Sequence, residues 1–221
     1  MIVIIDYGMG NLRSVQKAGA FLDQRLRVTD SISVIKKAKK IILPGVAHFG
    51  QTVKELKKRK LFKLIKERIN EGIPFFGICI GMQLLMEESQ EAPGIKGLSI
   101  IKGKVKRFKT KGLIVPHMGW NQIKRPKTED RRLKTESKKQ KAENEKQNKG
   151  LFEGVEEGSY FYFANSYYCA PKDKSVIAST TDYGVEFVSS IRKDNIWGVQ
   201  FHPEKSQELG LKVLNNFLKS S

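Results

Sequence analysis

The sequence contains little cysteine or histidine, two and three residues respectively in a chain of 221. Two cysteines cannot provide a disulfide framework, so we expect a reducing cytoplasm, where both thiols remain free for chemistry. Neither the cysteines nor the histidines have the CxxC or HExxH spacing of zinc sites. The sequence therefore predicts no metal site, and we expect no cofactor.

Long hydrophobic runs are also missing. The apolar start Met1–Ile5 is short and lacks a basic leader, so we expect neither a signal sequence nor a spanning segment. The apolar stretch from Ile73 to Met86 is broken by Pro74 and two glycines, and it is too short to cross a bilayer. We therefore expect no membrane partner.

Acidic residues are the scarcer charge, 23 Asp or Glu against 41 Lys or Arg, and the net charge is +18. Clustered Lys and Arg supply most of the nonspecific affinity for nucleic acid, so this class of function has to be weighed. The lysines of Lys36–Lys40, Lys54–Lys60 and Lys102–Lys111 mostly occupy the polar sides of periodic elements, and the first two ranges lack interleaved aromatics. These observations favour a solvated surface over a nucleic-acid interface.

One segment, Lys124–Lys149, differs from the rest in composition. It has eleven Lys or Arg, five Asp or Glu, and only Leu133 and Ala142 as apolar residues. Such a segment cannot bury enough surface to offset the entropy lost on ordering it. We therefore predict one domain spanning residues 1–221, with a mobile basic insertion at 124–149.

Short apolar runs alternate with helical periodicity in the first half of the chain. The predicted strands are Met1–Asp6, Lys40–Leu43 and Pro74–Ile78. Apolar residues at helical spacing predict one helix from Leu12 and another starting near Met82. Between them, a stripe from Val53 to Ile69 predicts a single basic helix that ends at Gly72. This alternation predicts an α/β fold with a parallel sheet covered by helices on both faces.

The second half is richer in strands, and we expect some of them to pair antiparallel. A closing helix through Leu209, Val213 and Phe217 follows them. The predicted strands are Leu98–Phe108, Leu113–Pro116, Tyr160–Tyr168, Val176–Thr180, Glu186–Ile191 and Ile196–Phe201.

The sharpest local signal is Gly77-Ile78-Cys79-Ile80-Gly81, which lies between a predicted strand and a predicted helix. This is the thiol counterpart of the GxSxG nucleophile elbow, in which flanking glycines let strand and helix pack closely around a strained central residue. A helix N-terminus favours the reactive thiolate, and the Ile80 N–H would face a developing oxyanion. The alternative is that Cys79 is a small buried core residue, and the pentapeptide alone does not decide between the two.

A nucleophile needs a base, and His202 directly follows the apolar strand Ile196–Phe201. Glu204, two residues further on, can reach the other imidazole nitrogen and orient the ring, as the third member of a triad does. His48 lies in a predicted loop and His117 follows a predicted strand, so a structural role is favoured for both. The sequence predicts a catalytic triad of Cys79, His202 and Glu204.

The third element is a strand that runs into Pro44-Gly45-Val46-Ala47. Gly45 can adopt backbone angles closed to other residues, so this loop can direct a peptide N–H at a developing oxyanion. Alone the motif is only a turn. Together with the elbow and His-Pro-Glu it forms one of three parts of an acyl-transfer site.

The three segments, in this order and at these spacings, resemble the class I (triad) glutamine amidotransferases. Within that class they look like the glutaminase subunit of imidazole glycerol phosphate synthase, and nearly the whole chain apart from Lys124–Lys149 takes part in the resemblance. The motifs that carry it are Asp6-Tyr7-Gly8-Met9-Gly10-Asn11-Leu12, Pro44-Gly45-Val46, Gly77-Ile78-Cys79-Ile80-Gly81-Met82-Gln83, Pro116-His117-Met118-Gly119-Trp120-Asn121 and His202-Pro203-Glu204-Lys205-Ser206.

The resemblance implies a flavodoxin-like α/β fold and assigns a role to each site residue. Cys79 would be the nucleophile, His202 the base and acid, and Glu204 the residue that orients His202. The backbone around Gly45, Val46 and Ile80 would form the oxyanion hole. Glutamine would be held by the Ala47 backbone, Gln83, Glu91, Ser166 and Tyr167.

The resemblance also implies a partner, a (βα)8-barrel cyclase subunit that receives ammonia directly. The complex would make imidazole glycerol phosphate and an aminoimidazole carboxamide ribotide, a step of histidine biosynthesis. Two positions depart from the family pattern, which usually has glycine at Ala47 and histidine at Asn165. Both lie near the expected glutamine pocket.

Three other interpretations fit parts of the sequence. Gly8-Met9-Gly10-Asn11-Leu12-Arg13 suggests a dinucleotide-binding fingerprint, but Arg13 stands in place of the third glycine, and we expect no acidic residue to close a second strand. A binding module with a dead amidotransferase site is disfavoured, since all three triad residues are present. A paralogous subunit that feeds ammonia to another synthase, such as a sugar-aminating enzyme, stays open.

Overall fold

Strands and helices alternate through the first half of the computed structural model, which describes residues 1–110, 112–126 and 150–220. The strands are β1 (Ile2–Ile5), β2 (Leu26–Thr29), β3 (Lys40–Leu43), β4 (Phe75–Ile78), β5 (Glu88–Ser89), β6 (Gly103–Arg107), β7 (His117–Gln122), β8 (Tyr160–Asn165), β9 (Tyr167–Pro171), β10 (Ile177–Asp182), β11 (Glu186–Lys193) and β12 (Ile196–Val199). The helices are α1 (Leu12–Phe21), α2 (Ile32–Lys36), α3 (Phe49–Lys58), α4 (Leu61–Asn70), α5 (Ile80–Gln83) and α6 (Gln207–Lys219), with a 3₁₀ turn at Pro203–Lys205.

Five strands pair in parallel in the order β2-β1-β3-β4-β12. Counted along the chain, this is the 2-1-3-4-5 order of the flavodoxin-like sheet. The apolar sequences of β1, β3, β4 and β12 explain their central position, because parallel strands covered on both faces are apolar along their length. The predicted fold class is confirmed.

The sheet continues beyond β12 through strands that are mostly antiparallel. β11 pairs with β12, β9 with β11 and β6 with β9, all antiparallel, while β10 pairs with β11 off this path. β7 and β8 form a separate two-stranded antiparallel sheet. The expected antiparallel pairing in the second half is therefore confirmed.

The core has two parts, one on each face of the parallel strands. Ile41 and Leu43 of β3 belong to the cluster that includes the apolar residues of α3 and α4, whereas Ile42 belongs to the cluster that includes those of α1 and α6. This alternation follows from the two-residue period of a strand. None of the helices in the described ranges is long and apolar enough to cross a membrane.

One helix prediction was wrong, and another was confirmed with an earlier start. The single helix expected from Val53 to Ile69 is two helices, α3 and α4, separated at Arg59 and Lys60. Lys60 adopts a left-handed conformation with φ 60°, which interrupts the helical hydrogen bonding. The helix expected near Met82 begins at Ile80 and is only four residues long.

The strand predictions for the second half need three corrections. Leu113–Pro116 is not a strand; β7 begins one residue later, at His117. The run Tyr160–Tyr168 is divided at Ser166 between β8 and β9, which belong to different sheets. The strand expected over Leu98–Phe108 is confined to Gly103–Arg107.

A strand at Leu26–Thr29 and the acidic residue that follows it were both missed. Asp30 therefore does follow the second strand, contrary to the expectation used against a dinucleotide site. Its carboxylate is paired with the Arg59 guanidinium at 3.0 Å, and the strand order is that of the flavodoxin-like sheet. Both observations disfavour a dinucleotide-binding site.

Only the start of the segment Lys124–Lys149 lies within the described residues. Lys124 exchanges two backbone hydrogen bonds with Thr180, at 2.7 and 2.8 Å. The Arg125 backbone N–H donates to Glu157. The prediction of a mobile insertion at 124–149 does not fit Lys124 and Arg125, which are held by these hydrogen bonds, and the rest of it, residues 127–149, lies outside the described ranges.

Candidate active site

Cys79 occupies a sharp turn between β4 and α5. Its backbone angles, φ 52° and ψ −106°, lie in a region that side-chain-bearing residues rarely adopt, at a cost on the order of 1–3 kcal/mol. The Cys79 N–H donates to the Val199 carbonyl at 2.7 Å, and the Cys79 carbonyl accepts from Met82 and Gln83. These bonds hold the strained residue in place at the end of the strand.

Two glycines make the turn at Cys79 sterically possible. A Cβ on Gly77 would lie 2.6 Å from the carbonyl carbon and oxygen of Gly81 and 2.7 Å from the Met82 nitrogen. A Cβ on Gly81 would overlap the Leu43 carbonyl oxygen. Both contacts are with backbone atoms, so the strand, the turn and the first turn of α5 are locked together.

His202 and Glu204 meet in the turn that follows β12. The Nδ1 atom of His202 lies 2.9 Å from Glu204 Oε1, and the two side chains are 1% and 2% exposed. The His202 backbone is held on both sides: its N–H donates to the Tyr162 carbonyl at 2.8 Å, and its carbonyl accepts from the Ser206 hydroxyl at 2.7 Å. A carboxylate at Nδ1 leaves Nε2 as the ring nitrogen available for proton transfer.

The pairing of β4 with β12 brings the thiol and the imidazole together although they are 123 positions apart. Ile78 is in register with Val199, so the residues that follow each strand emerge at the same edge of the sheet. Burial lowers the pKa of His202, but interaction with Cys79 and then with Glu204 outweighs burial and leaves the pKa raised. The arrangement favours a protonated His202 ring beside the Cys79 side chain.

The loop after β3 approaches the same edge. Its Pro44 carbonyl accepts a 3.1 Å hydrogen bond from the buried Tyr7 hydroxyl, and a Cβ on Gly45 would overlap that hydroxyl and lie 2.6 Å from the Ile80 side chain. Gly45 is thus required by close contact with Tyr7, which follows β1, and with Ile80 of α5. Val46, the next residue, is 55% exposed.

The residues that the resemblance assigns to glutamine binding lie in several segments around the elbow. The buried Gln83 amide donates to the Tyr167 carbonyl at 3.1 Å, which ties α5 to β9. Glu91 Oε2 accepts from the Phe49 N–H at 2.7 Å, at the start of α3 and just after the loop that contains Ala47. Ser166 connects β8 to β9, and its carbonyl accepts from Phe108.

Asn165, which stands where the family usually has histidine, is buried beside this site. Its amide nitrogen donates to the Tyr167 carbonyl at 3.0 Å, the same carbonyl that accepts from Gln83. Its Oδ1 has no hydrogen-bond partner among the described residues. Asn165 therefore supports the segment of β9 that contacts Gln83.

Two residues of the site were missed from the sequence. Tyr7 holds the Pro44 carbonyl, and Gln200 donates from Nε2 to the Cys79 sulfur at 3.4 Å. Gln200 lies two residues before His202, and this position between the apolar strand and the His-Pro-Glu turn was the available signal. Tyr7 gave a weaker signal, as an aromatic residue at the end of β1.

Comparison with known proteins assigns a family to this fold and this set of residues. The family model for class I glutamine amidotransferases matches residues 3–220. The chain belongs to the class I glutamine amidotransferase family. A solved structure described as a glutamine amidotransferase has a TM-score of 0.70 at 16% identity, covering 98% of this chain and 99% of that one, and it supports the fold alone.

Curated relatives are more specific than the family. The chain is 49% identical to the imidazole glycerol phosphate synthase subunit HisH of Pyrococcus furiosus, with 98% of this chain and 97% of the relative covered. It is 44% identical to the protein of the same name from Methanocaldococcus jannaschii, with 99% of each covered. Similarity therefore extends over nearly the full length of both relatives.

Proposed function

We propose that the chain is the glutaminase subunit of an imidazole glycerol phosphate synthase and acts in histidine biosynthesis. The observation that carries the glutaminase activity is the strained Cys79 beside a His202 whose Nδ1 is 2.9 Å from Glu204. The full-length similarity to synthase subunits supports the choice of synthase. These relatives do not favour the alternative of a sugar-aminating partner.

In the first half of the reaction, the Cys79 sulfur attacks the side-chain amide carbon of glutamine. A C–S bond forms and the amide oxygen takes the negative charge. His202 then gives its Nε2 proton to the amide nitrogen, the C–N bond breaks and ammonia leaves, which produces a thioester. The raised pKa of His202 fits this role, because the ring must carry a proton to donate.

In the second half, water attacks the thioester and His202 accepts its proton. The C–S bond breaks, glutamate leaves and the thiolate returns. Glu204 keeps the ring oriented through Nδ1–H. We propose the backbone N–H groups of Val46 and Ile80 as donors to the oxyanion in both steps, with Gly45 allowing the close approach of their loops.

The glutamine itself would lie among the residues assigned to it above. Gln83, Glu91 and Tyr167 come from three different segments, and each is fixed by a hydrogen bond to a neighbouring element. Ala47 and Ser166 belong to adjoining connections. Recognition by several fixed polar groups suits a substrate with an amide, an amino group and a carboxylate.

Use of the released ammonia as a nucleophile requires a partner, since free ammonia is protonated in neutral water and loses its nucleophilicity. We propose a (βα)8-barrel cyclase, docked on the outer face of the β7–β8 sheet. This face exposes Met118 (65%), Trp120 (45%) and Tyr160 (52%). Exposed aromatic and Met side chains of this kind are typical of protein interfaces.

The docking face is directly connected to the catalytic histidine. Tyr162, which is paired with Trp120 across β7 and β8, accepts from the His202 N–H through its carbonyl, and its own N–H donates to Ser206. A partner bound to this face would therefore contact the strand that holds His202. We place the complex in the cytoplasm, where a reducing environment keeps the nucleophilic thiol free.

Two nitrogen sources test the division of labour. In the complex with its synthase, Cys79→Ala should abolish turnover with glutamine and leave turnover with ammonium salt unchanged, because the acceptor chemistry belongs to the partner. Equal loss with both nitrogen sources would refute the proposal.

The docking face has a matched control elsewhere in the chain. Trp120→Ala should weaken binding of the synthase by tenfold or more in calorimetry, on the scale of an interface anchor of about 1.4 kcal/mol or larger. Phe21 is 76% exposed and is the last residue of α1, which leads to the amino ends of the parallel strands, whereas the site lies at their carboxyl ends. Phe21→Ala should leave the affinity unchanged, and equal losses in both variants would argue against this face.

A further inference from the structure

Gln200 lies at the point where the central parallel strands meet the active site. It directly follows β12 and is completely buried. Its backbone N–H donates to the Ser189 carbonyl at 2.8 Å, which fixes its position at the strand end. Because Val199 is in register with Ile78, Gln200 stands beside Cys79 on the neighbouring strand.

The side chain of Gln200 forms part of a continuous chain of hydrogen bonds. Gln83 Nε2 lies 3.1 Å from the Tyr167 carbonyl and 3.0 Å from Gln200 Oε1, and Gln200 Nε2 lies 3.4 Å from Cys79 Sγ. Gln83 and Gln200 are 4% and 0% exposed. The buried chain thus runs from a backbone carbonyl of β9 to the reactive sulfur.

The direction of this chain is determined by its first member. The Tyr167 carbonyl can only accept, so the Gln83 amide must present its NH₂ group to it. The same NH₂ group donates to Gln200, which must therefore offer its oxygen. The NH₂ group of Gln200 is left facing Cys79, and it can only donate to the sulfur.

We propose that Gln200 is a catalytic hydrogen-bond donor that stabilises the Cys79 thiolate and holds the sulfur in position. The inference rests on the proposed role of Cys79 as the nucleophile. An N–H donor favours the charged form of its acceptor, and a buried donor with a fixed direction has a larger effect than one in water. Among the described residues the Gln200 amide donates to the sulfur, whereas His202 Nε2 has no hydrogen-bond partner in this structure.

The same contacts give Gln200 a second effect, on Gln83. Gln83 is a proposed glutamine-binding residue, and its amide is oriented by the Tyr167 carbonyl and by Gln200 Oε1. A change at Gln200 should therefore act on the sulfur and on substrate binding together. If Gln200 only filled space, replacing it would change the reactivity of the sulfur and the binding of substrate only to the extent that it destabilised the fold.

The test is the pH dependence of Cys79 alkylation by iodoacetamide in the full chain, followed by mass spectrometry of the Cys79 peptide. Gln200→Glu keeps the shape and replaces the donor by a carboxylate. Its midpoint should move upward by about one pH unit or more, which slows alkylation below the midpoint about tenfold. Gln200→Met removes the donor without adding charge, and its midpoint should move upward by a smaller amount.

Two internal controls accompany this measurement. Cys169 is completely buried, so its labelling reports unfolding. Gln16 is exposed on α1, and Gln16→Glu adds the same charge away from the site and should leave the midpoint unchanged. If Cys169 is alkylated in Gln200→Glu, this variant is unfolded, and the midpoint of Gln200→Met then tests the inference. An unchanged midpoint in a folded Gln200 variant would overturn the inference.

The proposed function is tested separately in the wild-type complex. There, the loss of glutamine-dependent turnover should follow Cys79 alkylation in proportion. If it does not, the nucleophile assignment fails whatever the Gln200 variants show. If it does and the midpoints of the variants do not move, only the role of Gln200 fails.

Discussion

Replacing Gly77 by alanine would test whether close backbone packing sets the position of the Cys79 sulfur. The new Cβ would lie 2.6 Å from the Gly81 carbonyl carbon and oxygen and 2.7 Å from the Met82 nitrogen. Ordinary carbon contacts are about 3.5–4.0 Å, so β4 and the first turn of α5 must separate by about 1 Å. Cys79 lies between these two segments and cannot stay in place.

Two magnitudes follow from this displacement. Overpacking of a tight site costs about 1–3 kcal/mol of unfolding free energy. A 1 Å misplacement of a reacting group costs about 10²-fold in rate. We expect Gly77→Ala to lower the melting temperature by several degrees and to lower glutamine-dependent turnover of the complex about a hundredfold, with turnover on ammonium salt retained.

Gly150→Ala is the matched control for Gly77→Ala. A Cβ on Gly150 would be 3.9 Å from the Trp197 ring, an ordinary contact, and the residue does not have a positive φ. Both activity and melting temperature should stay close to wild type. If Gly77→Ala keeps full glutamine-dependent turnover while folded, the elbow does not depend on this packing and the geometric argument is wrong.

Three further predictions concern titratable groups and the partner. His202→Ala should resemble Cys79→Ala in glutamine-dependent turnover, whereas Glu204→Gln should lose less because it only orients the ring; steady-state kinetics that place Glu204→Gln at the same level would contradict this order. Burial lowers the pKa of His117 to about 4, so the folded state resists protonation of this ring. The free energy of unfolding should therefore fall as the pH drops from 6.5 towards 4, by up to about 3 kcal/mol. Urea titrations should show a weaker loss in His117→Phe, and parallel curves for the two proteins would refute the assignment. The chain alone should release almost no glutamate, and the rate should rise when the synthase and its acceptor substrate are added. The reason is that partner contacts can favour the productive orientation of the Gly45–Val46 peptide. High activity of the isolated chain would exclude regulation of this kind.

The central strands could be predicted because changes in residue type mark where they begin and end. Lys40–Leu43 was predicted with its observed limits, since a lysine precedes three buried aliphatic residues and Pro44-Gly45 ends the run. The break between α3 and α4 could not be predicted in the same way. Val53, Leu56 and Leu64 keep helical spacing across it, and neither glycine nor proline marks the turn at Lys60.

Sheet membership was also beyond the sequence pattern. The run from Tyr160 to Tyr168 was predicted as one strand, but its two parts pair with β7 and with β6 and β11. Alternation reports which residues share a face and carries no information on the neighbouring strand. β7 was missed for a different reason, because His117-Met118-Gly119-Trp120 has no β-branched residue to indicate a strand.

The members of the candidate triad could be named because each belongs to a short local motif. The contacts among them depend on register, which is a property of two distant segments. Gln200 shows the difference: its position in the sequence is ordinary, and its contact with Cys79 exists only because Val199 pairs with Ile78. The same holds for Tyr7, whose contact with Pro44 depends on the pairing of β1 with β3.

The strand order has a consequence for biosynthesis of the protein. β12 is synthesised after the other strands of the described sheet, yet it occupies the place between β4 and β11. Until β12 is made, β4 is an edge strand with one side unpaired, and the Cys79 backbone N–H lacks its Val199 acceptor. A nascent chain that lacks β12 and the turn after it therefore carries the Cys79 thiol without the His202 imidazole, the Glu204 carboxylate or the Gln200 amide, and the proposed active site is assembled only when β12 has been added to the sheet.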